Sequence, residues 1–447
     1  MNSDAIPENW RDVAVEDIKA ETSNALSTGP FGSSIGSRFF QNSGVPVIRG
    51  SNLSQDIGER LVPKDLVFLS EEKALEFERS KVKLGDLIFT CWGTIDQVGL
   101  VDKRSPYPEY IISNKQMKLT PNPDRADSLF LYYLFSSPEM TERIRNQGIG
   151  SSVPGFNLGQ LRSMRIRLPS LPEQRAIARI LGSLDDKIEL NRSMNGTLEA
   201  MAQAIFKSWF VDFDPVRSKA EGREPEGMDA ETAALFPDSF EETELGMVPN
   251  GWRAGTIEQE FNLTMGQSPP GDTYNEAKEG VPFFQGRTDF GNRYPSVRMY
   301  CNAPTRMANK SDTLISVRAP VGDINMALVG CCIGRGLSAV RHKTGSRSFT
   351  YYMMHSLKET FTQFEAEGTV FGSINKKDFQ EIICISAQPE VVKKFENIVF
   401  PLDQMIEKNE IESRLIAAIR DALLPKLLCD GIRFSSRRRC ERSRHDK

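Results

Sequence analysis

Long apolar runs, metal-binding clusters and redox motifs are missing from this sequence of 447 residues. No window approaches the roughly 18 consecutive apolar residues that suggest a membrane span. The first residues, MNSDAIPENW, lack the basic and then apolar layout of a signal peptide. The seven cysteines are scattered and form no CxxC pair for zinc or redox chemistry. We therefore expect a cytoplasmic protein with reduced thiols and no metal.

The motifs of several nucleic-acid enzymes are missing as well. The three histidines, His342, His355 and His445, are too dispersed for a metal cluster. No GxxxxGK[ST] loop is present, which excludes ordinary P-loop ATP hydrolysis. SPPG (Ser268–Gly271) lacks the aromatic residue that an adenine methyltransferase stacks on its flipped base. FPDSFEETE lacks the lysine of a PD-(D/E)xK nuclease. We expect a chain that catalyses nothing by itself.

An internal repeat organises the chain, whose length predicts two or more cores. The offset between matching phrases drifts from 242 positions (Ile6 to Val248) to 218 (Gly150 to Gly368), as expected for two copies whose loops differ in length. The matching phrases are IPENWR and VPNGWR, GVPVIRG and GVPFFQG, GDLIFTCWGTID and SDTLISVRAPVGD, GSSVPGFN and GTVFGSIN, and LDDKIELN and LDQMIEKN.

Each copy has a front part and a back part. The front parts alternate short β-rich runs with helical patterns, which predicts α+β domains. In the back parts apolar residues recur at spacings of three and four, which predicts two long helices packed on each other. Pro172 and Glu173 suit the first turn of the first helix. The apolar positions are Ile177, Leu181, Leu184, Ile188, Leu198, Met201, Ile205 and Trp209, and, 218 residues later, Phe395, Val399, Leu402, Ile406, Ile416, Ile419, Leu423 and Leu427.

Three further segments have simpler interpretations. The phrase SWFVDFDP predicts an ordered tie, and the Pro-, Gly- and acid-rich stretch after it predicts a loose linker. The basic end, IRFSSRRRCERSRHDK, predicts a disordered tail, with a non-specific DNA arm as the alternative. GPFGSSIG (Gly29–Gly36) lacks the dinucleotide-binding spacing and is interpreted as a flexible turn.

With the repeat and helices in place, the chain resembles the specificity subunit of Type I restriction–modification systems over about residues 5 to 430. The phrases that carry the resemblance are the duplicated PxxW openings, GVPVIRGSN, LPSLPEQRAIARILGSLDDKIELN and FKSWFVDFDPVRSKAEG. The resemblance implies an α+β fold with two target-recognition domains in a pseudo-two-fold repeat. Each domain would read one half of a bipartite, asymmetric DNA site. The long helices would form an antiparallel coiled coil that sets the spacing of the half-sites.

The resemblance also implies partners and a division of the chain. The partners are double-stranded DNA, two modification subunits that methylate adenine with S-adenosylmethionine, and restriction subunits that translocate and cut with ATP and Mg²⁺. This chain would bind no cofactor itself. The division is residues 1–168 for the first recognition domain, 169–213 for the first spacer helix, 214–246 for the linker, 247–387 for the second recognition domain, 388–430 for the second spacer helix and 431–447 for the tail.

The repeated LDDKIELN phrase predicts the inside of the coiled coil. We expect one set of side chains to face inward: Leu184, Ile188, Asn191 and Leu198, with Leu402, Ile406, Asn409 and Ile416. Asp185, Glu189, Asp403 and Glu407 should face water or the partner subunits. Because a polar residue in the seam specifies register, we predict that Asn191 and Asn409 meet or neighbour each other. The alternative is that both face solvent.

Loops of the front domains should read bases through Arg, Asn, Gln and Lys side chains. In the first domain the candidates are Arg49, Ser51, Asn52, Trp92, Thr94, Asn114, Lys115 and Gln116. In the second they are Gln285, Arg287, Thr288, Arg318, Arg335, Asn375 and Lys376. The pairs Arg49/Gln285 and Trp92/Arg318 fall at corresponding places of the repeat. For each residue alone, the alternatives are a solvated surface side chain or a phosphate contact that positions without specifying.

Two other classes of function compete with DNA recognition. A coiled-coil adaptor that binds no DNA would explain the long helices but not two large domains with loop-borne polar residues. An enzyme with methyltransferase or nuclease chemistry in the same chain is disfavoured by the missing motifs. The net charge of −4 does not by itself indicate a DNA-binding protein, but a subunit of a large complex can leave part of the phosphate attraction to its partners.

Overall fold

A computed structural model describes residues 10–148, 155–366 and 372–428 of the chain. The first repeated phrase is only partly inside these ranges, and so are both copies of the phrase GSSVPGFN/GTVFGSIN. The basic tail, 431–447, lies outside the described residues. Within the described residues no helix is both long and apolar enough to cross a membrane.

The chain forms two compact units. One contains the residues up to Leu190 together with those from Glu412 onward, and the other is Asn191–Ile411. Each unit therefore combines one recognition domain with half of each long helix. The division inferred from the sequence keeps each helix whole, whereas the packing divides both helices near their middle.

The first unit contains mixed strands and short helices. Its strands are β1 (Arg11–Ala14), β2 (Leu26–Thr28), β3 (Val45–Ile48), β4 (Val67–Leu69), β5 (Lys81–Lys83), β6 (Leu87–Thr90), β7 (Val98–Leu100), β8 (Glu109–Ile112), β9 (Gln116–Leu119) and β10 (Arg165–Leu168). Its helices are α1 (Val15–Ile18), α2 (Glu71–Leu75), α3 (Ser128–Ser136), α4 (Pro138–Asn146), α5 (Leu158–Ser163) and the first half of α6 (Leu171–Phe210), with 3-10 turns at Gly32–Ile35, Ser37–Phe39, Gly50–Asn52 and Glu78–Ser80.

The second unit begins with the second half of α6 and the segment between the copies. That segment forms α7 (Asp214–Ala220), α8 (Ala230–Ala234), β11 (Phe240–Thr243) and β12 (Gly246–Pro249). The later strands are β13 (Arg253–Thr256), β14 (Phe261–Met265), β15 (Tyr274–Asn275), β16 (Val281–Phe284), β17 (Met299–Cys301), β18 (Met307–Ala308), β19 (Thr313–Ser316), β20 (Ile324–Met326), β21 (Cys331–Ile333), β22 (Leu337–His342) and β23 (Ile383–Ser386). The later helices are α9 (Ile257–Glu260), α10 (Arg347–Ser356), α11 (Lys358–Ala366), α12 (Lys376–Glu381) and α13 (Pro389–Leu428), with 3-10 turns at Gly271–Thr273 and Arg287–Asp289.

The two units repeat one topology. The antiparallel sheet β2-β9-β6-β7 of the first corresponds to β14-β22-β19-β20 of the second. The mixed sheet β4-β3-β8-β5 corresponds to β17-β16-β21-β18, to which β15 adds an edge strand. In both mixed sheets one pair is parallel, β3 with β8 and β16 with β21. A two-stranded pair closes each domain, β1 with β10 and β13 with β23. The predicted α+β repeat is therefore confirmed.

The long helices run antiparallel within each unit. In the first unit Lys187 pairs with Glu412 at 3.1 Å between Nζ and Oε2. In the second unit the Phe206 ring packs 5.7 Å from that of Phe395. Ile177 and Leu181 are buried in the first core, and Val399 and Ile406 in the second. The stripe is not buried throughout, because Met201 and Ile419 are 50% and 43% exposed.

Asn191 and Asn409 are both buried in the second unit. The side-chain amide of Asn191 donates to the Asn409 carbonyl oxygen at 3.4 Å, and the Asn409 amide donates to Asn195 Oδ1 at 2.9 Å. The two asparagines therefore meet between the helices. Their role in register remains a prediction.

The expectation that Asp185 and Asp403 face water is wrong, since neither side chain has exposed surface. Asp185 accepts a hydrogen bond from the Tyr133 hydroxyl and pairs with Arg420 at 2.9 Å and with Arg60 at 3.4 Å. Burying a charged pair costs less when further polar contacts surround it, and Arg60 is also paired with Asp102.

The second unit builds the same arrangement around Asp403. Arg293 approaches Asp403 to 2.7 Å, and the Tyr352 hydroxyl donates to the same carboxylate at 3.3 Å. Arg293 also donates to the Tyr352 hydroxyl at 3.0 Å, as Arg60 does to Tyr133 at 3.1 Å. Each repeated LD phrase thus carries a buried carboxylate that ties its helix to an arginine of the recognition domain. Glu189 is exposed as expected, whereas the Glu407 side chain is mostly buried, 14% exposed, and pairs with Arg347 at 3.2 Å.

The segment between the copies is not the loose linker that its composition predicts. Asp229 caps α8 by accepting from the Thr232 backbone N–H at 2.7 Å, and β11 pairs with β12. Phe236 packs edge-on against Trp209, with 5.1 Å between ring centroids. The helix cap, the strand pair and the Phe236 contact together hold this acid-rich segment on its unit.

Candidate nucleic-acid interface

Four loops of the first unit converge at one end of its sheets. The Gly29 N–H donates to the Gln116 carbonyl oxygen at 2.9 Å, and the Ser113 N–H donates to the Ile48 carbonyl oxygen at 2.9 Å. The Cys91 N–H donates to the Lys115 carbonyl oxygen at 2.7 Å. The loops after β2, β3 and β6 therefore meet the loop between β8 and β9, and we call this set the first loop cluster.

The second unit repeats these contacts one for one. Gly266 donates to Leu337 at 2.9 Å, Gly334 to Phe284 at 2.8 Å, and Val317 to Gly336 at 2.9 Å, each from N–H to carbonyl oxygen. The loops after β14, β16 and β19 meet the loop between β21 and β22. We call this set the second loop cluster.

A fifth segment joins each cluster through an isolated strand bridge. Trp92 bridges to Gly155 in the first unit, and Arg318 bridges to Ser373 in the second. Trp92 and Arg318 therefore occupy corresponding positions, and so do Arg49 and Gln285, which directly follow β3 and β16. Equivalent backbone positions carry different side chains in the two clusters.

Most of the predicted first-domain residues lie at the surface of the first loop cluster. Ser51, Thr94, Asn114 and Lys115 are exposed. Trp92 is 53% exposed, and its ring lies beside the backbone of Gly155. Arg49 is half-buried, and its Nη2 donates to the Asp65 carbonyl oxygen at 2.8 Å. These side chains form a polar surface with one large aromatic ring.

Asn52 and Gln116 are corrections to the predicted set. The Asn52 amide is buried and donates to the carbonyl oxygens of Val62 and Lys64 at 3.0 and 2.9 Å. Gln116 is also buried and accepts from the Ser113 hydroxyl. In this fold their polar groups brace the loops and do not reach the surface. The sequence could not separate the two roles, because an amide that braces a loop and an amide that contacts a base belong to the same residue types.

The predicted second-domain residues are all exposed: Gln285, Arg287, Thr288, Arg318, Arg335, Asn375 and Lys376. Arg287 is ion-paired with Asp323, so part of its charge is satisfied within the unit. Asn375 also caps α12, because its Oδ1 accepts from the Asp378 N–H at 3.0 Å. Asn157 caps α5 in the same way from the matching phrase of the first copy.

Ser268 is a residue of the second loop cluster that the sequence analysis did not single out. Its hydroxyl accepts from the Arg335 N–H at 3.2 Å and from Gln285 Nε2 at 2.9 Å. It therefore fixes two of the predicted reading residues relative to each other. In the sequence, Ser268 belongs to SPPG, which was compared only with a methyltransferase motif.

The two loop clusters present polar, charged and aromatic side chains at the surface. Among the described residues no group of three or more His, Cys, Asp or Glu side chains could hold a metal ion. Burial raises the pKa of the Cys91 thiol, next to Trp92, to about 12, so it stays protonated near neutral pH. The exposed polar side chains include Asn114 and Lys115 in the first cluster and Gln285, Arg318 and Arg335 in the second, which suits contact with phosphates and base edges.

Comparisons with known proteins point to one class of protein. The family model for the Type I restriction modification DNA specificity domain matches residues 7–200. The type I restriction enzyme HindI specificity subunit of Haemophilus influenzae is 28% identical over 71% of this chain and 80% of its own length. A protein of Methanocaldococcus jannaschii, assigned by inference as the MjaX specificity subunit, is 28% identical over 96% of this chain and 95% of its own length.

A solved structure shares the fold. The Type I restriction-modification system S subunit from M. genitalium covers 96% of this chain and 98% of its own length, with a TM-score of 0.58 at 17% identity. The chain is therefore similar to Type I restriction–modification specificity subunits over nearly its whole length, as its sequence motifs indicated.

Proposed function

We propose that this chain is a specificity subunit of a Type I restriction–modification system and reads a bipartite, asymmetric DNA site, one half with each loop cluster. The observation that carries the proposal is the pair of equivalent clusters, which share their backbone contacts but differ in side chains at Arg49/Gln285 and Trp92/Arg318. Two readers of different sequences need the same frame and different exposed side chains. Arg, Asn, Gln and Lys are the side chains that discriminate base edges in the major groove.

The complex would supply the chemistry that this chain does not carry. Two modification subunits would dock on this chain and methylate adenine with S-adenosylmethionine, and restriction subunits would translocate and cut DNA with ATP and Mg²⁺. The paired helices α6 and α13 would set the spacing of the half-sites. An α-helix of 40 residues is about 60 Å long, and one turn of B-DNA is about 34–36 Å.

The test is the methylated sequence itself. Methylome sequencing of a host that carries the chain with its modification subunits identifies the two half-sites. Asn114→Ala, in the first cluster, should then relax one half-site, and Arg335→Ala, in the second, should relax the other. A lost base contact costs about 1–3 kcal/mol. Relaxation of both half-sites by either variant contradicts the proposal.

The rival adaptor function is separated by a methylation assay with tritiated cofactor. Methyl transfer should need both this chain and the modification subunits. Transfer by this chain alone indicates an enzyme, and sequence-independent transfer by the pair indicates an adaptor.

A further inference from the structure

One side chain of the first loop cluster does not fit a purely polar reading surface. Phe31, in the GPFGSSIG loop, is 79% exposed. Scattered exposed hydrophobic residues are common and need no explanation. The position of Phe31 is what calls for one, because the loop that carries it is bonded to the proposed reading loop.

The Phe31 loop is held at both ends. Gly29 donates to the Gln116 carbonyl oxygen, and a Cβ at Gly29 would approach the Ser113 carbonyl oxygen to 1.9 Å, so only glycine allows this contact. On the other side, Ile35 is buried in the core beneath the mixed sheet. Between these anchors the Ser34 hydroxyl donates to the Phe31 carbonyl oxygen at 2.9 Å. The loop is thus a turn that is anchored at both ends.

The surroundings of Phe31 are those of a surface that contacts DNA. The loop that precedes the Gln116 contact carries exposed Asn114 and Lys115, and exposed Arg38 lies on the far side of the turn. Trp92 is a second exposed aromatic residue in the same cluster. Cations that attract phosphates around an aromatic ring are the composition of proteins that press an apolar side chain between stacked bases.

The second unit differs at the matching position. Counting two residues from the equivalent glycines, Gly29 and Gly266, places Ser268 where the first unit has Phe31. Ser268 is tied to Gln285 and Arg335 within its own loops. The same frame therefore presents an aromatic ring in one cluster and a small bracing hydroxyl in the other.

We propose that Phe31 is a specificity-determining residue that stacks against a base step of the first half-site and partly unstacks it. The proposal rests on the proposed function. Because the cost of unstacking depends on the step, the contact selects flexible pyrimidine–purine steps without a hydrogen bond to a base.

The test uses the complete chain assembled with its modification subunits and duplexes that carry the site found by methylome sequencing. Phe31→Ala should weaken binding about 5- to 150-fold, the range for loss of one aromatic stack, while Phe31→Trp retains it. With 2-aminopurine placed at each position in turn, the wild-type complex should change fluorescence at one step of the first half-site. Phe31→Ala should abolish that change.

Leu84→Ala is the matched control, because Leu84 is an exposed hydrophobic residue (62%) of the same unit outside the loop cluster. Its binding should equal that of wild type. The proposal is overturned if Phe31→Ala binds within twofold of wild type with unchanged fluorescence. It is also overturned if the variant fails to assemble with the modification subunits, since Phe31 then contacts protein. If the wild-type complex binds its site no better than a scrambled duplex, the proposed function fails, and this inference with it.

Discussion

At the scale of single residues, Asp185 and Asp403 are the most informative side chains of the chain. Each is a fully buried carboxylate that an arginine and a tyrosine of its recognition domain reach together. Burial and the neighbouring carboxylate raise the pKa of Tyr133, so that its hydroxyl stays protonated and donates. The pairing fixes a loop of the recognition domain to the helix that carries the aspartate.

Replacing Asp185 by asparagine should destabilise the first unit by about 3–5 kcal/mol, because Arg60 and Arg420 lose their buried counter-charge while the volume is kept. Asp403→Asn should do the same to the second unit through Arg293. The measurement is chemical denaturation combined with hydrogen exchange that follows the strands of each unit.

Asp186→Asn is the control for the first variant, since Asp186 is the exposed neighbour of Asp185 on the same helix. Its effect should stay within about 0.5 kcal/mol. Equal effects of Asp185→Asn and Asp186→Asn on the free energy of unfolding would show that the buried ion pair does not stabilise the first unit.

His355 should make the second unit sensitive to acid. Burial, with the charges of Arg293 and Lys358, lowers the pKa of His355 from 6.5 to about 4. Between these values the unfolded chain binds the proton and the folded chain does not, so stability is lost as pH falls from about 6.5 to 4, by up to about 3 kcal/mol. Denaturation at a series of pH values should show the loss in wild type and a flatter profile in His355→Gln. Parallel profiles would contradict this.

At the scale of elements, the loop clusters depend on glycines where two backbones touch. A Cβ at Gly29 would lie 1.9 Å from the Ser113 carbonyl oxygen, and one at Gly266 would lie 2.1 Å from the Gly334 carbonyl oxygen. Alanine at either position should therefore separate the loops of its own cluster only.

Gly29→Ala should relax selection of the first half-site and Gly266→Ala that of the second, both measured by methylome sequencing. Gly196→Ala, in α6, is the control, because nothing lies within 4 Å of its added Cβ. That variant should keep the target site and stabilise the helix by up to about 1 kcal/mol. An unchanged site in all three variants would argue against the clusters as readers.

Substitution of Asn191 tests whether the contact between the long helices sets their register. Leucine at this buried position removes the hydrogen bond to the Asn409 carbonyl and adds apolar surface, so we expect a shifted melting curve together with loosened register or spacing. Circular dichroism melting and the spacer length in the methylated site are the readouts. Ser193→Leu, at an exposed position, serves as control. An unchanged melting curve and an unchanged site would refute the register role.

Helical periodicity predicted the long helices well, and it failed at particular positions for physical reasons. A straight α-helix drifts by about 20° per heptad from a strict seven-residue repeat. Such drift accounts for Met201 and Ile419, which belong to the stripe and are half exposed. Asp185 looked solvent-facing because its partners, Arg60 and Tyr133, are distant in sequence.

At the scale of the whole molecule, the net charge of −4 bears on how the chain meets DNA. We expect weak binding by the isolated chain and tight, salt-sensitive binding once the modification subunits add their phosphate contacts. Fluorescence anisotropy at several salt concentrations measures both. Lys115→Ala should reduce the salt slope by about one if Lys115 contacts phosphate, and relax one half-site if it contacts a base. Tight specific binding by the isolated chain would contradict the division of labour.

The sequence by itself determined the duplication, the α+β class, the two long helices and the resemblance to Type I specificity subunits. These features are periodic or local, so spacing and short phrases record them. Only the tertiary structure decided which side chains reach the surface. Asn52 and Gln116 are buried and brace loops, and Asp185 and Asp403 are buried and anchor domains to helices. Phe31, in contrast, is exposed on an anchored turn. Burial and pairing depend on residues far apart in the chain, and no local pattern encodes those partners.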